Sequence, residues 1–530
     1  MENRQSTKMR SGFSQVSEDV MENIFSRLPA TAFSSAACVN RCWNRVCGRV
    51  LKKPKFASAL SLMPTLPDAM EEVLQKVLAE PIIPHFAIAC IGKQFNLAAA
   101  HQMLAEKLGS RVPLVTNTAS GIIGPDDTNE LHEVRWKACD DDDDDSDSAA
   151  DSVLDRGMVL VIGFVPGLRV DAIPLFQTMT VPQICLDDNF LTDIKSFTAS
   201  FSDSESPAGI ILFGDRNIDM RPILARMDCA LDEETVIVGD ASGRFMWRSA
   251  YHSRHYGADS YFLDAVALVF ARDIHKSQDI GETQFHVTLS TGIMPFGPPI
   301  HAVCAIPKDT TSSWLSARAE GQIEILDSQA LLADINSEFD EEDYPPDVYI
   351  GVAQHKHKHK QYPCGSGSFI SKTFYEVLGA ERDFFIVDGV GGIQPGDPFL
   401  FYHSDSDTAS SSRTNAYRNL AILKEESNRQ NFLSSRNGAP SSGEKEVFGG
   451  LIFSCYLREI SDQPIIESSP FHENFPEVPL AGLFCNGEIG RGFSSSVNQE
   501  DDEPNSARCC LHYHSTVYLA LSYTPPTSEH

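Results

Sequence analysis

Between residues 14 and 56 the apolar positions recur at helical spacing. Val20, Met21, Ile24, Phe25 and Leu28 stand at i, i+1, i+4, i+5 and i+8, which puts them on one face of a helix. Ser17 occupies the capping position, followed by Glu18 and Asp19, where the positive end of the helix dipole favours acids. Pro29 ends this helix. A second helix is expected from Thr31, its apolar side formed by Val39, Trp43, Val46 and Val50. Some forty residues bury little surface alone, so one face of this module is expected to need a partner.

From Pro84 the pattern changes to continuous apolar strands alternating with helices. Phe86–Gly92 and Val112–Asn117 predict strands around a helix at Ala98–Leu108, ending at Ala119-Ser120-Gly121. The order recurs with strands at Gly209–Gly214 and Val236–Gly239 around a helix at Met220–Met227, ending at Ala241-Ser242-Gly243. Gly92 to Gly214 and Ser120 to Ser242 share one offset, and a further apolar strand follows each half, at Met158–Phe164 and Ala265–Ala271. This predicts an internal duplication of a β-α-β-turn-β unit. Past Pro298 strands dominate, among them Val348–Val352, Phe399–Tyr402, Leu451–Tyr456, Leu480–Cys485 and Thr516–Tyr523. Helices are expected at Ser328–Phe339, just after Ser368 and at Ala416–Phe432, with polar loops at His403–Thr414, Leu433–Glu446 and Ser494–Arg508. The leucine-rich repeat spacing L-x-x-L-x-L-x-x-N is absent from the sequence.

The fold class expected is α+β multidomain: a small all-α module at 14–56, then two α/β regions with large mixed sheets. The first covers 84–298, is internally duplicated and carries an acidic loop insert at 138–156; the second covers 299–526.

Charge changes the picture in one respect. The 530 residues carry a formal charge of −30, but Asp140–Asp151, Glu338–Asp343 and Glu500–Glu503 hold 17 acids and no base, leaving −13 on the rest. An acidic chain argues against nucleic-acid and anionic-membrane partners, which need clustered Lys and Arg. The 13 scattered cysteines include no C-x-x-C pair, which suits reduced thiols in cytoplasm and/or nucleus. Neither a signal peptide nor a bilayer-length apolar run is read in the sequence.

The stretch V-S-E-D-V-M-E-N-I-F-S-R-L-P-A, then A-A-C-V-N-R-C-W-N-R-V, resembles the F-box. In place of that family's common proline stands Ser17. The resemblance implies docking on a Skp-type adaptor, joined to a cullin and a RING subunit, through Val16, Glu18, Val20, Ile24, Leu28, Pro29, Val39 and Trp43. Of these, Leu28, Pro29 and Trp43 are expected to matter most at the adaptor, with Ile24 and Val39 partly maintaining the module. The rest resembles the FIST region. The A-S-G turns of Phe86–Arg244 match its N-terminal domain; R-D-F-F-I-V-D-G-V-G-G-I-Q-P-G-D at Arg382–Asp397, Gly449–Arg458 and Val478–Gly490 match its C-terminal domain. The resemblance therefore implies an F-box followed by two FIST domains. It implies a ubiquitin-ligase substrate receptor that binds a protein target and performs no bond chemistry itself. The alternative is a sensor of a small, amino-acid-like ligand.

For such a ligand the candidate residues are Ser120, Ser242, Cys485, Gly487 and Glu488, a carboxylate and close backbone amides at strand ends. A tight hairpin with a structural Glu488 fits the last three equally well. Neither serine lies in a G-x-S-x-G turn, no phosphate loop is present, and no catalytic set emerges, so an enzyme is not expected. His355, His357 and His359 alternate with lysines, which favours a solvated loop over a metal site. No metal or cofactor is expected.

Overall fold

The computed structural model describes residues 16–136, 155–177, 183–251, 262–309, 311–338, 347–355, 370–436, 445–458, 466–491 and 509–526. The acidic tract 140–151 and the tract 500–503 lie outside them, as do His357 and His359.

The N-terminal module is three helices, not two. α1 (Glu18–Phe25) starts at Ser17, whose hydroxyl accepts from the Val20 amide at 3.4 Å. α2 (Ala30–Ala37) and α3 (Arg41–Val50) divide the single helix expected from Thr31. The break has a local cause: extended Asn40 accepts from the Trp43 amide at 2.9 Å and restarts the helix. Met21, Phe25, Phe33, Ala36, Val46 and Cys47 fill the core, and Arg49 ties α3 to α1 through Glu18 and Glu22 at 2.8 and 3.0 Å.

Three stretches of chain then build three sheets with one plan. The first contains β1 (Lys55–Ser61), α4 (Leu66–Val77), β2 (Phe86–Ile91), α5 (Leu97–Leu108) and β3 (Leu114–Thr118). It continues through β4 (Gly121–Pro125) and β5 (Leu131–Arg135) to β6 (Met158–Phe164). The second contains β7 (Leu168–Gln177), α6 (Gln183–Ala199), β8 (Gly209–Asp215), α7 (Arg221–Ala230), β9 (Val236–Gly243), β10 (Phe245–Arg248) and β11 (Phe262–Arg272). The third opens with β12 (Glu282–Thr291) and is interrupted by a closed six-stranded barrel. The barrel consists of β13 (Ile293–Pro307), β14 (Ser312–Ala319), β15 (Val348–His355), β16 (Ile370–Glu381), β17 (Phe384–Asp388) and β18 (Pro398–Ser404), with α8 (Ser328–Glu338) against it. The third stretch resumes with α9 (Ser406–Arg436), β19 (Glu446–Cys455), α10 (Ser469–Asn474), β20 (Leu480–Cys485), β21 (Glu488–Arg491), β22 (Cys509–His512) and β23 (Ser515–Thr524).

The sheet orders are β1-β6-β2-β3-β10, β7-β11-β8-β9-β21 with β22 beyond, and β12-β23-β19-β20-β4 with β5 beyond. In each, the two strands joined by a helix are parallel and their neighbours antiparallel. The exchange of the fifth strand is cyclic. The first stretch lends β4 to the third sheet, the second lends β10 to the first, and the third lends β21 to the second.

Strand alternation explains the layering. Phe86, Ile88 and Cys90 point into one core shared by all three sheets, together with Phe213, Val266, Phe270, Phe453 and Val517. Ala87, Ala89 and Ile91 point the other way, under α4 and α5. The second and third sheets are covered likewise by α6 with α7 and by α9 with α10.

Several expected boundaries shift. The first α/β region starts at Lys55, not 84, because β1 pairs with β6 along its length. The 298/299 divide falls within β13, and β12 pairs with β23, so the two regions interlock. The segment after Ser368 is strand β16, whose Tyr375 and Val377 turn inward to the barrel core. The loop expected at His403–Thr414 is mostly helix: Asp405 accepts from the Thr408 amide at 2.7 Å, and Ala409, Ser412, Ala416, Leu420 and Leu423 make a buried helical face.

Candidate functional site

The helical module presents an apolar surface that its own core does not use. Val20 and Ile24, one turn apart on α1, are 51% and 46% exposed, and Val39 in the link between α2 and α3 is 59% exposed. Pro29 is exposed, while Val16, Leu28 and Trp43 are half-buried against the module core. The Trp43 ring lies 5.0 Å from that of Phe25. Ile24 and Val39, expected partly to maintain the module, face outward, while Leu28 and Trp43 also pack against its core. Glu18 is committed internally. Arg49 bonds its carboxylate and holds its pKa below the usual range, first by the hydrogen bond and then by charge. The module joins the body through Ala30 N–H to Leu78 O at 2.9 Å and Lys52 to Asp279 at 2.7 Å.

The second candidate lies where the three sheets meet. Each parallel pair ends in a small–polar–glycine triplet: Ala119-Ser120-Gly121, Ala241-Ser242-Gly243 and Cys485-Asn486-Gly487. The triplets are laced together. Ser120 N–H donates to Phe484 O at 2.9 Å, Ala241 N–H to Gly487 O at 3.0 Å, and Asn486 N–H to Ser242 Oγ at 2.9 Å. Asn117 donates to buried Asp240 at 2.8 Å, and the other Asp240 oxygen accepts from Ser242 N–H and Oγ–H, both at 2.7 Å. Glycine is required at Gly243, where a Cβ would collide with Asn117 Oδ1 and Thr118 O.

Above the triplets opens a cleft of about 560 Å³. Ser120, Ser242 and Asn486 line its floor and Phe95 and Leu97 one wall, and Lys93, Arg216 and Arg244 are also in the lining. The sequence-predicted ligand residues thus separate. Ser120 and Ser242 face the cleft, but Ser242 Oγ is already engaged as donor and acceptor. Cys485 and Glu488, 1% and 0% exposed, are buried and do not line the cleft. Glu488 Oε1 accepts from the Gly487 amide at 3.3 Å and the Cys485 thiol at 3.5 Å. Burial pushes the Glu488 carboxyl up to about 8 and raises the Cys485 thiol. The three cations were missed, and Asn486, inside the candidate run Cys485–Glu488, was not singled out; the signal was available in Cys485-Asn486-Gly487, which closes its strand as the A-S-G triplets close theirs.

Among the described residues Asp126, Glu130 and His132 form a partly exposed cluster with metal-ligand spacing, within one acidic turn and its hairpin. Asp126 is already bonded to Thr128 and His132. No helix among the described residues is long and apolar enough to cross a membrane.

Three short helices with an outward apolar patch, fixed to a much larger α/β body, are the plan of an F-box protein, and residues 13–55 match the F-box domain. F-box domains bind Skp-type adaptors within SCF complexes. Over 521 residues the chain is 34% identical to an F-box/LRR-repeat protein of Arabidopsis thaliana, spanning 96% of this chain and 93% of that protein. The chain belongs to that F-box protein family. Where that protein's name cites leucine-rich repeats, the described residues here form three mixed sheets and a barrel.

Proposed function

We propose that this chain is the substrate-recognition subunit of an SCF-type cullin–RING ubiquitin ligase, working in cytoplasm and/or nucleus. The F-box docks a Skp-type adaptor, and the FIST-type body that begins at Lys55 holds a protein target. The observation that carries this reading is the patch of Val20, Ile24 and Val39, outward-facing on a module tied to the body. The chain would add no bond-making chemistry; holding the target beside a charged ubiquitin carrier raises their effective concentration. Co-purification tests it. Intact protein should retain adaptor and cullin, and Val20→Ala/Ile24→Ala should lose both; equal retention by the two proteins would refute it.

A second reading, a sensor of a small ligand, is favoured by the cleft alone. Its volume lies within the ~300–1,000 Å³ usual for small-molecule sites. The common strand order of the sheets supports the duplication reading and extends it to a third stretch interrupted by the barrel.

A further inference from the structure

We infer that the cleft where the three triplets meet binds a small organic anion through a carboxylate or phosphate group. The inference rests on the small-ligand reading of this cleft and names the ligand's chemistry.

The cleft is built from all three stretches. Lys93 follows β2, Arg216 follows β8, Arg244 follows the second triplet, and Asn486 belongs to the third. The described residues of its lining include three cations and no acid, on a chain whose formal charge is −30. Arg216 and Arg244 make no ion pair among the described residues, so neither guanidinium is committed to holding the fold. Their backbones are fixed: Arg216 N–H donates to Gly243 O at 3.1 Å, and Arg244 N–H to Thr118 Oγ1 at 2.9 Å. A guanidinium on an anchored backbone suits a planar or tetrahedral oxyanion, which it meets with two parallel N–H donors.

The floor adds neutral donors. Ser120 Oγ has no hydrogen-bond partner among the described residues, and the Asn486 side-chain amide is likewise uncommitted. Asp240, a buried carboxyl bonded to Asn117 and to Ser242 of the cleft lining, has its pKa raised by burial, so it opposes a bound anion less than an exposed carboxylate would. Phe95 and Leu97 leave room for a short apolar or ring-bearing body beside the charged group. The volume holds a metabolite but not a peptide or nucleic-acid strand.

Calorimetry on the full chain tests this, with inorganic phosphate and succinate as anionic probes, and alanine and putrescine as zwitterionic and cationic ones. The expected result is saturable binding of phosphate, succinate or both, weakened at least tenfold by Arg216→Gln/Arg244→Gln. Both arginines are exposed, so the variant should keep the wild-type melting temperature. Preference between the two anions identifies the group recognised. Binding of alanine or putrescine without either anion overturns the anion assignment and leaves the small-ligand reading standing. Binding of no probe overturns both, as anion binding unchanged in the double variant overturns the site.

Discussion

Ile24→Ala separates docking from folding in the F-box. Ile24 leaves 46% of its surface in water, on the order of 80 Å². At about 25 cal/mol per Å², covering that surface with a partner contributes roughly 2 kcal/mol, most of which lies beyond Cβ. The variant should therefore bind a Skp-type adaptor about 10- to 30-fold more weakly. Its helix should not suffer, because Ala is the better helix former by some tenths of a kcal/mol. The assay is calorimetry of purified full chain against purified adaptor, alongside hydrogen exchange across α1 to α3. Ile323, 92% exposed on the body, supplies the control, and Ile323→Ala should leave adaptor affinity unchanged. Wild-type affinity for Ile24→Ala would refute the docking assignment. A loss of amide protection as large as the loss in affinity would show that Ile24 acts through the fold.

Trp43→Ala should behave differently: its ring packs on Phe25 at 5.0 Å, so amide protection in the module should fall by about 2 kcal/mol together with adaptor affinity, read by hydrogen exchange and calorimetry. Glu488, raised to about 8 by burial, binds its proton more tightly folded than unfolded, so its contribution to stability is full at low pH and is lost as pH rises through 8. Glu488→Gln removes that slope; the variant should gain about 2 kcal/mol on wild type between pH 6 and pH 8 in urea denaturation, and parallel curves would refute it. Arg458 and Glu467 form a buried pair at 3.4 Å, with Arg458 also bonded to Ser290 and Thr516. Arg458→Ala should cost about 3–5 kcal/mol by stranding a buried carboxylate, and Arg458→Met/Glu467→Gln should recover most of it.

The helical module was legible because its signals are local: a capping serine, a 3.6-residue apolar period and a terminating proline all act within one turn. Its break at Asn40 was hidden, since Val39 and Trp43 sit one turn apart and read as one face although Val39 points to solvent. The two A-S-G halves were legible through their common offset, whereas the third stretch was not, because the barrel separates β12 from β19. The exchange of β4, β10 and β21 between sheets is non-local pairing that leaves no periodic trace. Glu488 looked like a ligand group because it follows a strand end, but the positive φ of Gly487 carries the chain straight into β21 and buries it. Asn486, the exposed member of that triplet, was passed over for its more reactive neighbours.

The substrate-receptor claim is met most directly by one comparison: affinity purification of the full chain beside Val20→Ala/Ile24→Ala, with bound proteins quantified. The wild type should carry a Skp-type adaptor and a cullin, and the double variant should lose both while its body-bound target rises in amount because degradation has stopped. Retention of adaptor and cullin unchanged in the double variant, or their absence from both, would contradict it.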